Sequence, residues 1–449
     1  MQAIQRVRQQ LAGGDVSSRA LVEEALTRAT DKDGEGRRVF TRLSPERARQ
    51  AADGADAFRA AGIDLSPIAG LPVSVKDLFD IAGEVTTAGS AVLRNSAPAT
   101  ADAPVIARLK RAGAVIVGRT NMTEFAYSGV GLNLHLGTPA NPYDRARQLI
   151  PGGSSSGAAV SVADGMALAA IGTDTGGSVR IPAALCGLTG FKPTQRRIPR
   201  EGVFPLSTTL DSVGVIAASV ACCGTVDAVL AGESWSEPTV ANLRSKVAAV
   251  PTNFLLDDLD SQVANSFEGA LLRLSHAGLR IIEVSFPELS EIANLNAKGG
   301  FSGAESYAFH RRLGAAFAAY DPLVLERILR GKEIGAAEYL DMVHTRASLI
   351  ERFHTSCAEI DFLMCPTVPI VAPEIRALQQ NAEDYRRVNF LLLRNPSVVN
   401  LLDGCALSIP CQTSGGAPVG LMLIGRHDQD GELLSIGMSV ERAISCRNE

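Results

Sequence analysis

The sequence is poor in the residues that mark metal and redox sites. Its 449 residues hold six dispersed histidines, no HExxH pair and no cluster of carboxylates, so no metal is expected. Eight cysteines (Cys186, Cys222, Cys223, Cys357, Cys365, Cys405, Cys411 and Cys446) form no CxxC pair and sit mostly among apolar residues. They read as buried free thiols, packing as small hydrophobes, and no cofactor is expected. Apolar runs are too short and too rich in glycine to cross a bilayer. The N-terminal stretch MQAIQRVRQQLAGGDVSSRALVEEAL is charged and amphipathic from its start and lacks the apolar run of a signal peptide. A cytoplasmic protein is therefore expected, with no role at the membrane. Lysine and arginine are scattered and the net charge is −5, which offers no basic stripe for a phosphate backbone. Nucleic acid is not expected as a ligand.

What is present is the composition of a large-cored globular protein, 46% hydrophobic and 20% charged. Residues 1–62 read as a helical leading segment, its last helix opened by Ser44-Pro45-Glu46. The stretch PIAGLPVSVKDLFDIAG suits a short strand that carries Lys76 to its end. A helix over 102–112, stopped by Gly113, leads into the strand AVIVG, which is an α/β signature. Further strands are predicted at VGVIAAS, KVAAV, LRIIEVS, DFLMCP, ALSIPC and VGLMLIG, with helices between them such as 261–276 and 431–446. One large sheet covered by helices accounts for this spacing. Residues 286–350 are helical in pattern and more charged, and suit a substrate-facing cap.

The chemistry concentrates between Pro151 and Thr194, where glycine-rich turns alternate with short apolar runs. In Asp174-Thr175-Gly176-Gly177-Ser178, two glycines before a serine let consecutive N–H groups point at one spot, at the start of a predicted helix. If Ser178 attacks a carbonyl, the N–H groups of Thr175, Gly176, Gly177 and Ser178 can hold the oxyanion, at ~3–4 kcal/mol per donor lost. No histidine occurs from Leu136 to Ser275, and His135 can reach this serine only through folding. Lys76 is the alternative base, since its apolar neighbours Val73, Val75, Leu78 and Phe79 disfavour the ammonium. The turn Gly152-Gly153-Ser154-Ser155-Ser156-Gly157 offers a second hydroxyl to relay the proton.

The block PGGSSSGAAVSVADGMALAAIGTDTGGSVRIPAALCGLTGFKPT resembles the signature of the amidase signature family. The similarity extends to GLPVSVKDLFD, GRTNMTEFAYSG, DFLMCPTVP and APVGLMLIGRHDQDGELL, and so covers most of the chain. It implies a single domain over residues 1–449, of α/β class, with a large mixed, mainly β-sheet core covered by helices on both sides. It also implies a Ser-Ser-Lys triad of Lys76, Ser154 and Ser178, an acyl-enzyme on Ser178, and a cis peptide before Ser154. Ser155 lines the site in that family. The chain departs from the usual GGSSGGS at Ser156 and Ala158, leaving the triad positions intact. Asp174 and Arg180 are expected to support the nucleophile loop through an ion pair, with Glu124 and Cys186 as scaffold.

Other readings compete. Gly153-Ser154-Ser155-Ser156-Gly157 also fits the G-x-S-x-G elbow of α/β-hydrolase esterases, with Ser155 as nucleophile and His427 as its histidine. Neither glycine turn continues into the Gly-Lys-Ser/Thr of a nucleotide-binding loop. Lys76 can instead be paired with Asp77 or Asp80. Within the resembled family, a small-molecule amidase is expected first and the glutamine-hydrolysing A subunit of a tRNA-dependent amidotransferase second. A homodimer is an expectation of the resemblance. A catalytically silent protein of the same fold is the remaining alternative, and the intact Lys76, Ser154 and Ser178 argue against it.

Overall fold

The computed structural model describes residues 3–445 apart from 235, 237–238 and 314–316, so the expected thiol of Cys446 lies outside the described residues. Eleven strands form one sheet: β1 (Phe40–Leu43), β2 (Pro72–Lys76), β3 (Val115–Thr120), β4 (Ala169–Asp174), β5 (Thr189–Lys192), β6 (Ser212–Ala217), β7 (Val247–Pro251), β8 (Arg280–Val284), β9 (Phe362–Pro366), β10 (Cys405–Pro410) and β11 (Gly420–Gly425). Their order is β1-β3-β2-β4-β6-β5-β10-β11-β9-β7-β8. The sheet is mixed: β3, β2 and β4 run parallel, as do β9, β7 and β8, while the central strands pair antiparallel. The chain is thus an α/β fold.

Side chains alternate across a strand, and here each set enters a different core. Leu407 and Ile409 of β10 and Leu421 and Leu423 of β11 join one hydrophobic cluster, which also takes apolar residues of the Val220–Ala231, Ser261–His276 and Asp430–Ser445 helices. Their neighbours Ala406, Met422 and Ile424 enter another, shared with the Pro287–Asn296 and Ala336–Ser356 helices. Helices therefore cover both faces, and the inner strands are buried on both sides.

The six later strands predicted from the sequence all occur, within a residue or two of the expected bounds. One correction concerns the leading segment. Residues 1–62 are not helical throughout: Phe40–Leu43 is β1, which pairs antiparallel with β3 at the sheet edge. Four residues in a charged stretch give too short an alternation to register against helical flanks. The described residues from 287 onward include the helices Pro287–Asn296, Gly300–His310, Pro322–Arg330 and Ala336–Ser356. All seven described cysteines are free and buried.

Candidate active site

β2 and β4 are parallel neighbours, with Val75 opposite Ile171, so their carboxyl ends lie side by side. Such ends, where the chain leaves a parallel sheet, are where α/β folds bind ligands. β2 delivers Lys76 there and β4 delivers Thr173. Lys76 is fully buried, and its Nζ donates to Ser154 Oγ at 2.8 Å and to Thr173 Oγ1 at 2.9 Å. Asp77 and Asp80 do not take it: Asp77 Oδ1 lies 2.5 Å from Arg119 Nε, and Asp80 accepts from Thr86. Burial lowers the lysine pKa to about 7, and the more distant Asp174 and Asp211 carboxylates pull it back upward.

The Gly153–Ser154 peptide is cis, as the resemblance implied. Ser154 is fully buried, and its backbone oxygen accepts from Thr123 N. Ser155 N donates to Ser178 O at 3.3 Å, so the two serine-bearing loops are held in contact. Ser178 is 3% exposed and lines a cavity of about 330 Å³. Its hydroxyl makes no hydrogen bond among the described residues, so the expected link to Ser154 is not closed in this geometry. Such contacts often tighten only when substrate is bound.

The loop that carries Ser178 is organised by Asp174. Its carboxylate accepts from Gly177 N at 2.8 Å, from Val179 N at 3.2 Å and from Nε and Nη2 of Arg180, at 3.0 and 2.8 Å. Asn400 closes the cluster, donating to Asp174 Oδ1 and accepting from Arg180. Burial alone would raise the Asp174 pKa, but the Arg180 charge outweighs it and holds the carboxyl well below the usual range. Two expectations change here. The N–H of Gly177 is already donated to Asp174, which leaves those of Thr175, Gly176 and Ser178 without an acceptor among the described residues. The helix after Ser178 has only six residues, Arg180–Leu185, so side-chain bonds to Asp174, rather than a helix dipole, set the loop. Gly177 has φ +123°, and a Cβ there would lie 2.5 Å from Pro396 Cβ. Only glycine fits.

Ser155 is fully buried under β4, its hydroxyl 3.5 Å from Thr173 O. Its expected partner His427 stacks instead on His354, ring centres 4.7 Å apart. The elbow geometry is therefore not assembled. His135 faces Glu124, Nε2 to Oε1 3.2 Å, and not the serines. Glu124 in turn accepts from Ser90 and from Asp321 N, and Cys186 is buried, both in keeping with scaffold. Ser156 opens the Ser156–Ala163 helix with a buried hydroxyl that has no partner among the described residues, and Ala158 packs in a core cluster. Among the described residues no group of three or more His, Cys, Asp or Glu side chains is placed to hold a metal.

Sequence reasoning missed three residues. Thr173 is the second partner of Lys76, and only the parallel pairing of β2 and β4 reveals it. Asn400 reaches Asp174 from 226 residues away. Asp211 accepts from Thr175 Oγ1 at 2.5 Å and from the backbone of Leu206 and Ser207, and burial pushes its pKa up to about 6.

Comparison with known proteins bears on this geometry. The family model described as Amidase matches residues 20–434. The chain is 37% identical over 406 residues to 2-amino-5-chloromuconic acid deaminase of Comamonas testosteroni, covering 89% of this chain and 87% of that one. It is 34% identical over 474 residues to the A subunit of the Glutamyl-tRNA(Gln) amidotransferase of Synechococcus sp. strain CC9902, covering 97% and 95%. A crystal structure of an amidase superposes with a TM-score of 0.88 at 32% identity, over 98% of this chain and 99% of that chain.

Proposed function

The chain belongs to the amidase family and hydrolyses amide C–N bonds, and on that premise we propose that Ser178 is its acylating nucleophile, Ser154 the proton relay and Lys76 the base. One observation carries the reading: a fully buried lysine, its pKa brought to about 7, donates to the serine that adjoins the nucleophile loop. As Ser178 Oγ bonds to the amide carbon, its proton passes to Ser154 and the Ser154 proton to neutral Lys76. The oxyanion rests on the free N–H groups of Thr175, Gly176 and Ser178. Collapse breaks the C–N bond, and the proton returns through Ser154 to the leaving nitrogen. Water then cleaves the acyl-enzyme by the same relay, releasing a carboxylate.

The site opens toward the 286–350 segment, since Ile292, Asn296, Ser302 and Arg327 line the cavity, in keeping with a cap over a small substrate. Labelling with a fluorophosphonate and mapping the adduct tests the assignment. An adduct on Ser178 is expected. An adduct on Ser155 sinks it, and neither adduct nor turnover of any amide points to a silent protein. The resemblance to amidotransferase A subunits supports a second reading, glutamine hydrolysis within a complex. Glutaminase activity that appears only with added partner chains and tRNA would establish it. A cytoplasmic homodimer belongs to the same proposal, with light scattering and cell fractionation as its checks.

A further inference from the structure

The cavity onto which Ser178 opens is cationic. Arg327, Arg330, Arg386 and Arg394 line it against a single carboxylate, Glu326. Glu326 is already engaged, 2.8 Å from Arg330 Nη2 and 2.8 Å from Arg386 Nη2. Arg394 is turned away, donating to Asp257 O and to Asn395 Oδ1. Arg327 forms no ion pair among the described residues. Its guanidinium carbon lies 4.4 Å from the centre of the Tyr127 ring, an arrangement that holds the planar donor in place without neutralising it.

A second donor stands beside it. Asn389 Oδ1 accepts from Ser128 Oγ and from Gly129 N, both at 2.9 Å, which fixes the orientation of the amide because a backbone N–H can only donate. Its Nδ2 has no acceptor among the described residues, and the residue lines the same cavity. Tyr127 and Ser128 are consecutive, so one short segment positions both Arg327 and Asn389. The distance to the chemistry is also set. On the Ala382–Leu401 helix, Asn389 precedes Leu393 by one turn, about 6 Å along the axis. Leu393 Cδ2 lies 3.6 Å from the place of a Cβ on Gly176, in the oxyanion loop.

We infer that the site takes amides bearing a free carboxylate one short chain away from the scissile carbonyl, with Arg327 and Asn389 as its receptor. A planar, weakly hydrated guanidinium matches a carboxylate with two parallel N–H···O bonds. With Glu326 engaged, no acid is left to receive an ammonium beside that carboxylate. The substrate class is therefore the half-amide of a small dicarboxylic acid, and not an amino-acid amide such as glutamine. This rests on Ser178 being the nucleophile.

The test compares kcat/KM on succinamic and glutaramic acids with that on neutral aliphatic amides of the same length and on glutamine. The half-amides should lead the neutral amides by roughly 10- to 100-fold, chiefly through KM. Arg327→Gln, its folding checked by a thermal melt, should erase that ratio by raising KM on the acids, and Arg327→Lys should fall between. Succinate and glutarate at millimolar concentration should also protect Ser178 from fluorophosphonate, which reads the subsite in the unaltered protein. Neutral amides turned over as well as the acids, or absent protection, overturn the inference and leave the amidase reading standing. A preference for glutamine over glutaramate overturns it too. No turnover and no Ser178 adduct overturn the amidase reading and this inference together.

Discussion

Replacing Lys76 probes the relay at its base. Desolvation takes its pKa from 10.5 to about 7, against the pull of Asp174 and Asp211. At pH 7 about half the molecules then carry a neutral amine, compared with about three in ten thousand for an ordinary lysine. The base population is larger by ~10³-fold, equivalent to about 5 kcal/mol between the two protonation states. Lys76→Ala, and Lys76→Met as the variant closer in volume, should slow acylation by roughly 10²- to 10⁴-fold. The assay is the pseudo-first-order rate of Ser178 labelling by a fluorophosphonate between pH 5 and pH 10 (a range of about five units). In the unaltered protein the rate should rise tenfold per unit below about 7 and level above it, following the neutral amine. Both variants should lose that inflection. Stability carries the opposite sign. Because the folded pKa lies below the unfolded one, the cost of the buried ammonium is full below about 7 and fades as pH rises toward 10.5. Lys76→Met removes that cost and leaves the Ser154 and Thr173 hydroxyls short of a donor, at ~1–3 kcal/mol each. It should therefore unfold no more easily than the parent at mildly acid pH, which separates lost chemistry from lost fold. A variant that keeps more than about a tenth of the parental rate, or keeps the inflection, refutes the relay.

Three further predictions follow from the shell around it. Asp211→Asn removes a carboxylate that raises the Lys76 pKa, so the acylation inflection should move to lower pH; an upward shift or none contradicts that placement. Asp174→Asn leaves the fully buried Arg180 guanidinium without its counter-ion and should destabilise the fold by about 3–5 kcal/mol in denaturant titration. The parental Asp174 contribution is present above the ordinary aspartate pKa and lost as pH falls through its depressed value, and the Asn variant should lose that acid dependence. Gly177→Ala drives a Cβ into Pro396 and should lower kcat by roughly 10²-fold through misplacement of Ser178, whereas unchanged turnover would mean the loop is not positioned as described.

What the sequence made legible followed from local pattern. β2 could be read because apolar residues flank Lys76 on both sides, and the serine loops because glycines bracket them. β1 could not, since Phe40–Leu43 becomes a strand only by pairing with β3. The sequence suggested four N–H groups as oxyanion donors, but not that the Gly177 N–H is spent on Asp174, because that depends on the loop's backbone path. Thr173, Asp211 and Asn400 carry no motif. Each is an ordinary residue until parallel pairing, antiparallel pairing or a distant helix brings it to the site. The same holds for Arg327 and Asn389, which lie on two helices remote from every signature.

These placements depend on one another. A lysine serves as base at neutral pH only while it stays dry, and the sheet keeps it dry by burying β2 and β4 on both faces. Yet the loop that must be fixed beside it is fixed by a carboxylate, and a free carboxylate near the amine would return the lysine to its charged form. Arg180 takes Asp174 in two bonds while the carboxylate holds Gly177 and Val179, and the upward pull that Asp174 still exerts on Lys76 is outweighed by burial. Asn400 then satisfies both partners with one neutral amide that adds no charge near Lys76. On the proposed mechanism, the Asp174–Arg180–Asn400 cluster is thus tied to Lys76 as base. A histidine, with a pKa near neutrality in water, would not need it; a lysine does.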